Sequence, residues 1–423
     1  MPEKPNSAAA SVPYLKQVRI RDYAPLRDAK ADFKPGLNII IGPNGVGKTR
    51  FLSLTSQLMD PFAIHTVGVG CEVVLRYDED LLITFQQPTI SEELAPSFRK
   101  DNASLLTVHT IYGTKKSTGE DMYEALMSID LEDKLPETIL AQHGTPLHRM
   151  PLADIPVGLV YGQSFRVQTD SLDDTSYLLN QSLLIKYLFN TLRFSFSRRR
   201  RYNKVNSPAA LFSVEEARTE ITQVFTSYLD FLNPYLAQYS PIGQIRLSNT
   251  FQIYDNAAQQ EILVKGLVLE YSIAGSWLPF SALSDGTKRI LYLITQLQMP
   301  VARFEQQQSA SPNFKLHTSP RTILLEEPEL GIHHSQLHSL LQLIREVSRT
   351  SQVIMTTHAP QVLDMLGADE LDRISICSLD PKKGTQFHKL TEEKQDQARV
   401  YMKEVGFLSD YWRYSYLEEV ETA

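Results

Sequence analysis

The sequence predicts an α/β chain in which a mixed sheet is flanked by helices and carries an antiparallel β subdomain and a helical insertion. Three observations predict it. The apolar run at residues 37–41 (LNIII) passes through GPNGVGKT at 42–49 into a stretch of helical spacing that reaches Met59. Two further apolar runs, 322–325 (TILL) and 351–355 (SQVIM), flank a helical pattern over 335–347. Between 65 and 87 two β-rich runs surround the polar turn 77–80, which reads as an antiparallel hairpin.

The elements follow in order. Residues 1–13 form a flexible tail, and residues 14–22 (YLKQVRIRD) alternate apolar with charged side chains as a half-buried strand does. The continuous run 37–41 after Gly36 reads as a strand buried on both faces. Residues 90–155 give no consistent order. Val157–Tyr161 is the next strand, ending at Gly162-Gln163. Leu178, Leu179, Leu183, Leu184, Tyr187 and Leu188 recur at helical spacing, and Ser213-Val214-Glu215-Glu216 is a capping box opening a second helix. Its stripe of Val214, Ala217, Ile221, Val224, Phe225, Tyr228 and Leu232 reads as core packing, so the two helices make a hairpin subdomain. Strands return at 244–247, 251–254 and 267–273, and the polar stretch 305–319 reads as a surface loop. The expected organisation is an ATPase lobe at 14–165, a mainly helical insertion at 166–265, a second ATPase lobe at 266–375 and a C-terminal segment at 376–423.

Composition narrows the function. With 42 Lys and Arg against 49 Asp and Glu the formal charge is −7, which excludes a uniformly basic coat and confines any nucleic-acid contact to a local patch. Hydrophobic residues at 42% and charged residues at 22% exclude a long disordered chain. Cys71 and Cys377 stand too far apart to frame a metal cluster, and a disulfide framework is excluded. No basic-then-apolar leader opens the chain and no apolar run approaches the roughly 20 residues of a membrane span, so a cytoplasmic protein without membrane attachment is expected.

Gly42-Pro43-Asn44-Gly45-Val46-Gly47-Lys48-Thr49 satisfies G-x-x-x-x-G-K-[ST] between a strand and a helix, the context a phosphate loop requires. Backbone N–H groups freed by the glycines close around phosphate oxygens, the helix N-terminus adds positive charge, and Arg50 adjoins them. Lys48 reaches the β- and γ-phosphates, and Thr49 holds Mg²⁺. The run 322–329 (TILLEEPE) delivers two adjacent carboxylates to the C-terminal end of a buried strand, where open α/β sheets bind ligands. Glu326 would hold Mg²⁺, and Glu327 would act as general base toward water.

Leu283-Ser284-Asp285-Gly286-Thr287-Lys288-Arg289 resembles the LSGGQ-type signature of ATP-binding-cassette ATPases, and Met355-Thr356-Thr357-His358-Ala359-Pro360 is similar to their switch-histidine segment. Phosphate loop, signature, acidic strand and histidine stand in cassette order. The phrases GPNGVGKT, LSDGTKR, LLEEPELGIH and TTHAP resemble the soluble branch of SMC, RecF and OLD proteins and the stand-alone ATPases of prokaryotic anti-phage systems. The resemblance covers roughly residues 14–60, 155–165 and 265–375. It implies an ATP- and Mg²⁺-dependent ATPase head that pairs head to tail, with Ser284, Asp285 and Gly286 of one subunit facing the γ-phosphate held by the other and His358 touching that phosphate in cis. Gln163 would be the Q-loop glutamine that touches Mg²⁺, although Gln86 and Gln87 also follow a strand. Arg21 and Tyr23 lie where related ATPases place an adenine contact; Tyr23 fits core packing equally well.

Two departures stand out. Glu326 replaces the usual Asp, adding a methylene between backbone and metal and implying slow turnover, and Asp285 replaces a signature glycine. The basic run Arg198-Arg199-Arg200-Arg201-Tyr202-Asn203-Lys204, beside Phe194 and Phe196, suits a phosphate backbone, a solvated helix end or a docking patch. His333 and His334 occupy the place of the family's D-loop and lack the spaced partners of a metal site.

The expected function is an ATP-driven switch, the ATPase subunit of an anti-phage complex whose effector, a nuclease first of all, is another polypeptide. A RecF-like repair ATPase and an OLD-like nuclease are the alternatives. The 65 residues after His358, including Asp364, Asp369, Glu370 and Asp372, form no recognisable two-metal nuclease cluster. The 236 residues from Lys48 to Ser284 exceed a compact transporter cassette, and the 121 from Gln163 to Ser284 hold no sustained heptads for an SMC arm.

Overall fold

The computed structural model describes residues 14–59, 70–76, 80–86, 110–115, 121–123, 147–150, 165–168, 188, 214–256, 261–265, 267–298, 301–304, 314–317 and 322–415. Two compact units emerge. The first comprises Met1–Leu152, Pro320–Glu329 and Ile344–Ala423, the second Ala153–Ser319 and Leu330–Leu343.

In the first unit the chain runs through β1 (Tyr14–Tyr23), β2 (Leu26–Asp32), β3 (Leu37–Ile41), α1 (Lys48–Met59), β4 (Gly70–Arg76), β5 (Asp80–Gln86), β6 (Thr110–Lys115), β7 (Asp121–Tyr123) and β8 (Leu147–Met150). The second unit adds β9 (Phe165–Gln168), α2 (Val214–Tyr239), β10 (Ile242–Leu247), β11 (Gln252–Asn256), β12 (Glu261–Lys265), β13 (Leu269–Ile273), β14 (Ser276–Pro279), α3 (Asp285–Gln298), β15 (Val301–Phe304) and β16 (Phe314–His317). Then come β17 (Thr322–Glu326), α4 (His334–Val347), β18 (Gln352–Thr356), β19 (Ile374–Asp380), β20 (Gly384–Lys389), α5 (Glu392–Glu404) and α6 (Leu408–Tyr414).

Two six-stranded sheets build the first unit. One is wholly antiparallel, in the order β2-β1-β4-β5-β6-β7. The other is mixed, in the order β20-β19-β3-β18-β17-β8, with parallel pairing except at the β19–β20 hairpin. All five residues of β3 and of β18 are buried, as expected for strands covered on both faces. Helix α1 joins the two sheets: its Phe51, Leu52 and Leu54 share one buried cluster with Leu15, Val18 and Ile20 of β1 and with Ile40, Leu324 and Ile354 of the mixed sheet. Phe51 also packs on Phe387 at a centroid separation of 4.4 Å.

A single buried amide fastens β1 to the mixed sheet. Gln352 donates from Nε2 to the carbonyls of Leu15 (2.8 Å) and Lys34 (3.0 Å), while its Oε1 accepts from Leu15 N and the Thr322 hydroxyl, both at 2.9 Å. All its hydrogen-bonding capacity is used, which is the condition for burying such a group without penalty.

In the second unit α2 buries Ala217, Ile221, Val224, Phe225, Tyr228 and Leu232, the stripe read from the sequence, while Val214 is half-buried. Asn233 locks this helix to β10: its amide oxygen accepts from Ile245 N at 2.7 Å and its nitrogen donates to Ile245 O at 3.1 Å. Small sheets β10-β13-β14, β11-β12-β9 and β15-β16 complete the unit.

The hairpin at 65–87 is present as β4 and β5. The loop reading of 305–319 is corrected: residues 314–317 form β16, paired antiparallel with β15. The alternation of Phe314, Lys315, Leu316 and His317 carries this strand, and the Gln- and Ser-rich stretch before it masked the pattern. Within 166–265, where a mainly helical insertion was expected, α2 is accompanied by β9, β10, β11 and β12. Strands β2, β19 and β20 were not foreseen. The strand 157–161, the helix over 176–192 apart from Leu188, the capping-box serine 213, the basic run 198–204, Gln87 and Gln163 lie outside the described residues. Among the described residues no helix is long and apolar enough to cross a membrane.

Candidate active site

Register decides where the chemistry converges. Thr356 of β18 stands opposite Ile40 of β3 on one side and Glu326 of β17 on the other. The chain therefore leaves three neighbouring parallel strands at one sheet edge, as Gly42 into the glycine loop, as Glu327, and as Thr357-His358.

The loop is seated on the β19–β20 hairpin. Gly42 has φ +149°, and a Cβ there would overlap the Cys377 carbonyl oxygen; at Gly47, with φ +104°, a Cβ would come 2.5 Å from the Thr385 hydroxyl. Both positions thus demand glycine twice over, by conformation and by space. The Thr385 hydroxyl donates to Val46 O at 2.6 Å, which fixes the loop from below. Cys377 lies fully buried under it, and burial pushes its thiol up to about 12, so it is an inert packing group.

Lys48 is buried and its ammonium donates to Gly42 O (2.6 Å) and Pro43 O (2.8 Å), so its charge sits inside the loop's curve. Pro43, Asn44 and Gly45 form the exposed tip, Val46 is buried, and Thr49 and Arg50 are exposed on the first turn of α1. The Arg50 guanidinium lies 5.5 Å from the Tyr23 ring centroid, which brings together two residues singled out in the sequence.

Glu326 and Glu327 are both half-buried at the end of β17. Glu327 adopts φ +42°, a left-handed conformation unusual for a side-chain-bearing residue, and its N–H donates to Thr356 O at 3.0 Å. Its Oε1 lies 3.1 Å from His358 Nε2. Glu329, which the sequence reading passed over, accepts at Oε1 from the Thr357 hydroxyl (2.6 Å), His358 N (3.0 Å) and Ala359 N (3.3 Å).

The signature residues belong to the second unit. Ser284 caps α3: its hydroxyl lies 2.8 Å from that of Thr287 and accepts from Thr287 N at 3.2 Å. Ser284 and Asp285 are exposed, and Gly286 lies against Gly331, whose carbonyl oxygen a Cβ would meet at 3.1 Å. His333 likewise caps α4, with Nδ1 2.9 Å from the Ser335 hydroxyl and accepting from Ser335 N. Gln86 ends β5.

The residues present fit a nucleoside triphosphate with Mg²⁺. The loop curves around the Lys48 ammonium, which is tied to the Gly42 and Pro43 carbonyls, its glycines at 42 and 47 let it lie close on the β19–β20 hairpin, and Thr49 is exposed beside it. Among the described residues no group of three or more His, Cys, Asp or Glu side chains could hold a metal unaided. A cation at this edge would thus share its shell with phosphate oxygens and water, as Mg²⁺ at phosphate sites does.

Residues 160–364 match the family described as "AAA domain, putative AbiEii toxin, Type IV TA system". That stretch includes the signature, the acidic strand and His358, and the glycine loop precedes it. Over 141 residues the chain is 27% identical to the DNA replication and repair protein RecF of Erwinia tasmaniensis, covering 33% of this chain and 37% of that protein. The chain thus matches little more than a third of that relative's length.

Among solved structures, it is similar to an Smc head bound to the C-terminal winged-helix domain of ScpA (14% identity, 91% of this chain and 99% of the other, TM-score 0.47). The SMC head domain of Thermotoga maritima aligns at 11% identity over 89% and 99%, TM-score 0.41. The Smc head with an extended coiled coil bound to the C-terminal domain of ScpA, from Pyrococcus furiosus, aligns at 13% over 93% and 100%, TM-score 0.48. At such scores these likenesses bear on neither activity nor partners.

Proposed function

We propose that the chain binds and hydrolyses ATP at the edge shared by β3, β18 and β17, and that it works as a molecular switch. One observation carries the reading: the row Ile40, Thr356, Glu326 sends the glycine loop, Glu327 and His358 out of one sheet edge side by side. In this reading the loop amides of residues 42–47 and the Lys48 ammonium bind the phosphates. Thr49 and Glu326 hold Mg²⁺, whose bound charge lowers the cost of developing negative charge on the phosphates. Glu327 takes the proton of the attacking water at its carboxylate, and His358, 3.1 Å away, orients that carboxylate and reaches toward the terminal phosphate.

The site is tested by ATP binding and steady-state hydrolysis of two variants. Lys48→Ala is expected to lose ATP binding, and Glu327→Gln to keep it while turnover falls at least about 100-fold. Wild-type turnover in Glu327→Gln would remove Glu327 as the base.

For the biological role, the description of the matched family, which names a toxin and a toxin–antitoxin system, supports an ATPase subunit of a prokaryotic anti-phage complex that controls a separate effector, a nuclease by expectation. The match to RecF supports a second reading, a DNA-repair ATPase. Co-expression with neighbouring genes separates them: ATP-dependent co-purification of a second polypeptide favours the first, and DNA-stimulated hydrolysis without one favours the second.

A further inference from the structure

Glu329 lies two residues beyond the proposed base, and nothing in the reaction scheme above uses it. Its Oε1 is the meeting point of three donors from consecutive residues: the Thr357 hydroxyl at 2.6 Å, His358 N at 3.0 Å and Ala359 N at 3.3 Å. Its other oxygen, Oε2, is buried with no hydrogen bond among the described residues. A buried carboxylate oxygen left without a partner is costly, so this side chain is held for what Oε1 does. Thr357 is itself fully buried, and its hydroxyl also accepts from Ala359 N at 3.0 Å, which closes a compact knot around the backbone of 357–359.

That knot has a geometric consequence. His358 is the exposed residue of the turn at the end of β18, between the buried Thr357 and the half-buried Ala359, so the position of its imidazole depends on how the backbone of this turn is held. Glu329 holds that backbone from the chain that has just left Glu327. The carboxylate of 329 therefore couples the backbone of 358 to the same loop that sets the backbone of 327, and the 3.1 Å contact of His358 Nε2 with Glu327 Oε1 spans the two.

We infer that Glu329 is a positioning residue: it holds the 357–359 turn so that His358 meets Glu327, and it acts on turnover through His358 rather than on nucleotide binding. The inference rests on the proposed ATPase reading.

A double-mutant cycle tests it on the full chain, reading kcat, KM for ATP and Kd for ADP. Glu329→Ala is expected to lower kcat about 10- to 100-fold, the effect of misplacing a reacting group by about an ångström, with KM and ADP affinity within twofold of wild type. In the His358→Ala background the same change is expected to cost less than twofold, because the group it positions is gone. Glu329→Gln keeps an acceptor oxygen toward the turn and should retain kcat within about threefold. Independent losses that multiply in the double variant, a parallel loss of ADP affinity, or a Gln variant as poor as Ala would each overturn the inference. If Glu329→Ala does not fold, Thr357→Val removes the shortest of the three bonds, and the same cycle against His358→Ala decides. Unaltered turnover in both Glu327→Gln and His358→Ala would instead sink the underlying ATPase assignment, whereas loss in those two with additive behaviour at Glu329 would sink the positioning role alone.

Discussion

Glu327 holds its carboxylate on a backbone at φ +42°, in the left-handed region where a Cβ costs on the order of 1 kcal/mol. The residue is kept there by its N–H bond to Thr356 O, and the bend turns the carboxylate toward His358 instead of continuing the strand. Stability and chemistry therefore oppose each other at this position. Glu327→Gly is expected to be more stable than Glu327→Ala by about 1 kcal/mol in urea unfolding, with both inactive. Equal midpoints would show that the φ angle carries no cost. Neighbouring residues explain what was legible in the sequence and what was not. Lys48, Thr49, Glu326, Glu327 and His358 could be singled out as candidates because they stand in short contiguous sequence patterns. Thr385 under Gly47, Gln352 behind Leu15 and Glu329 against the 357–359 turn could not, since each acts on atoms that are tens to hundreds of residues away in the chain.

At the level of elements, the parallel strands β3, β17 and β18 announced themselves as continuous apolar runs, whereas β19 (ISICSLD), whose apolar residues are interrupted by serines, and the edge strands did not. Strand β2 (LRDAKAD) faces solvent with Arg27, Asp28, Lys30 and Asp32 and buries only Leu26, Ala29 and Ala31, so its apolar signal is faint. Strand β20 is the antiparallel edge of the mixed sheet, and it ends in Lys389, whose ammonium donates to the Ser375 hydroxyl at 2.9 Å. Burial lowers Lys389 to about 8, opposed by Asp372 and Asp32 and reinforced by Lys34 and Arg373. The folded chain thus releases this proton more readily than the unfolded chain, whose lysine titrates near 10.5. Below pH 8 the folded state bears the whole cost of the buried charge; between about pH 8 and 10.5 that cost disappears and stability rises. Lys389→Met is accordingly expected to raise unfolding stability at pH 7 by roughly 1–2 kcal/mol, with the advantage fading by pH 10. An advantage that is constant across this range would assign the effect to packing instead of charge.

For the whole molecule, the two halves of the proposed chemistry reside in different units of the chain: the loop, Glu326, Glu327 and His358 in the first, and Ser284, Asp285 and Gly286 in the second. Ser284 ends its role within its own unit by capping α3, yet it and Asp285 stay exposed at a helix N-terminus of 14 residues, a place suited to an anion. In the proposed head-to-tail pairing that anion would be the γ-phosphate bound by a second copy. If so, nucleotide is the adhesive, and association must depend on ATP, on blocked hydrolysis and on Ser284 together. Glu327→Gln protein is expected to run at the monomer mass of 48.0 kDa without nucleotide and at twice that mass with ATP and Mg²⁺. Adding Ser284→Arg should abolish the dimer while leaving ATP affinity within about threefold, because the substituted side chain lies on the surface that meets the other copy and not in the loop that binds. Monomers under both conditions would refute the sandwich. A dimer indifferent to ATP would place the contact elsewhere, and a Ser284→Arg variant that loses ATP binding itself would mean that the signature serves the nucleotide of its own chain.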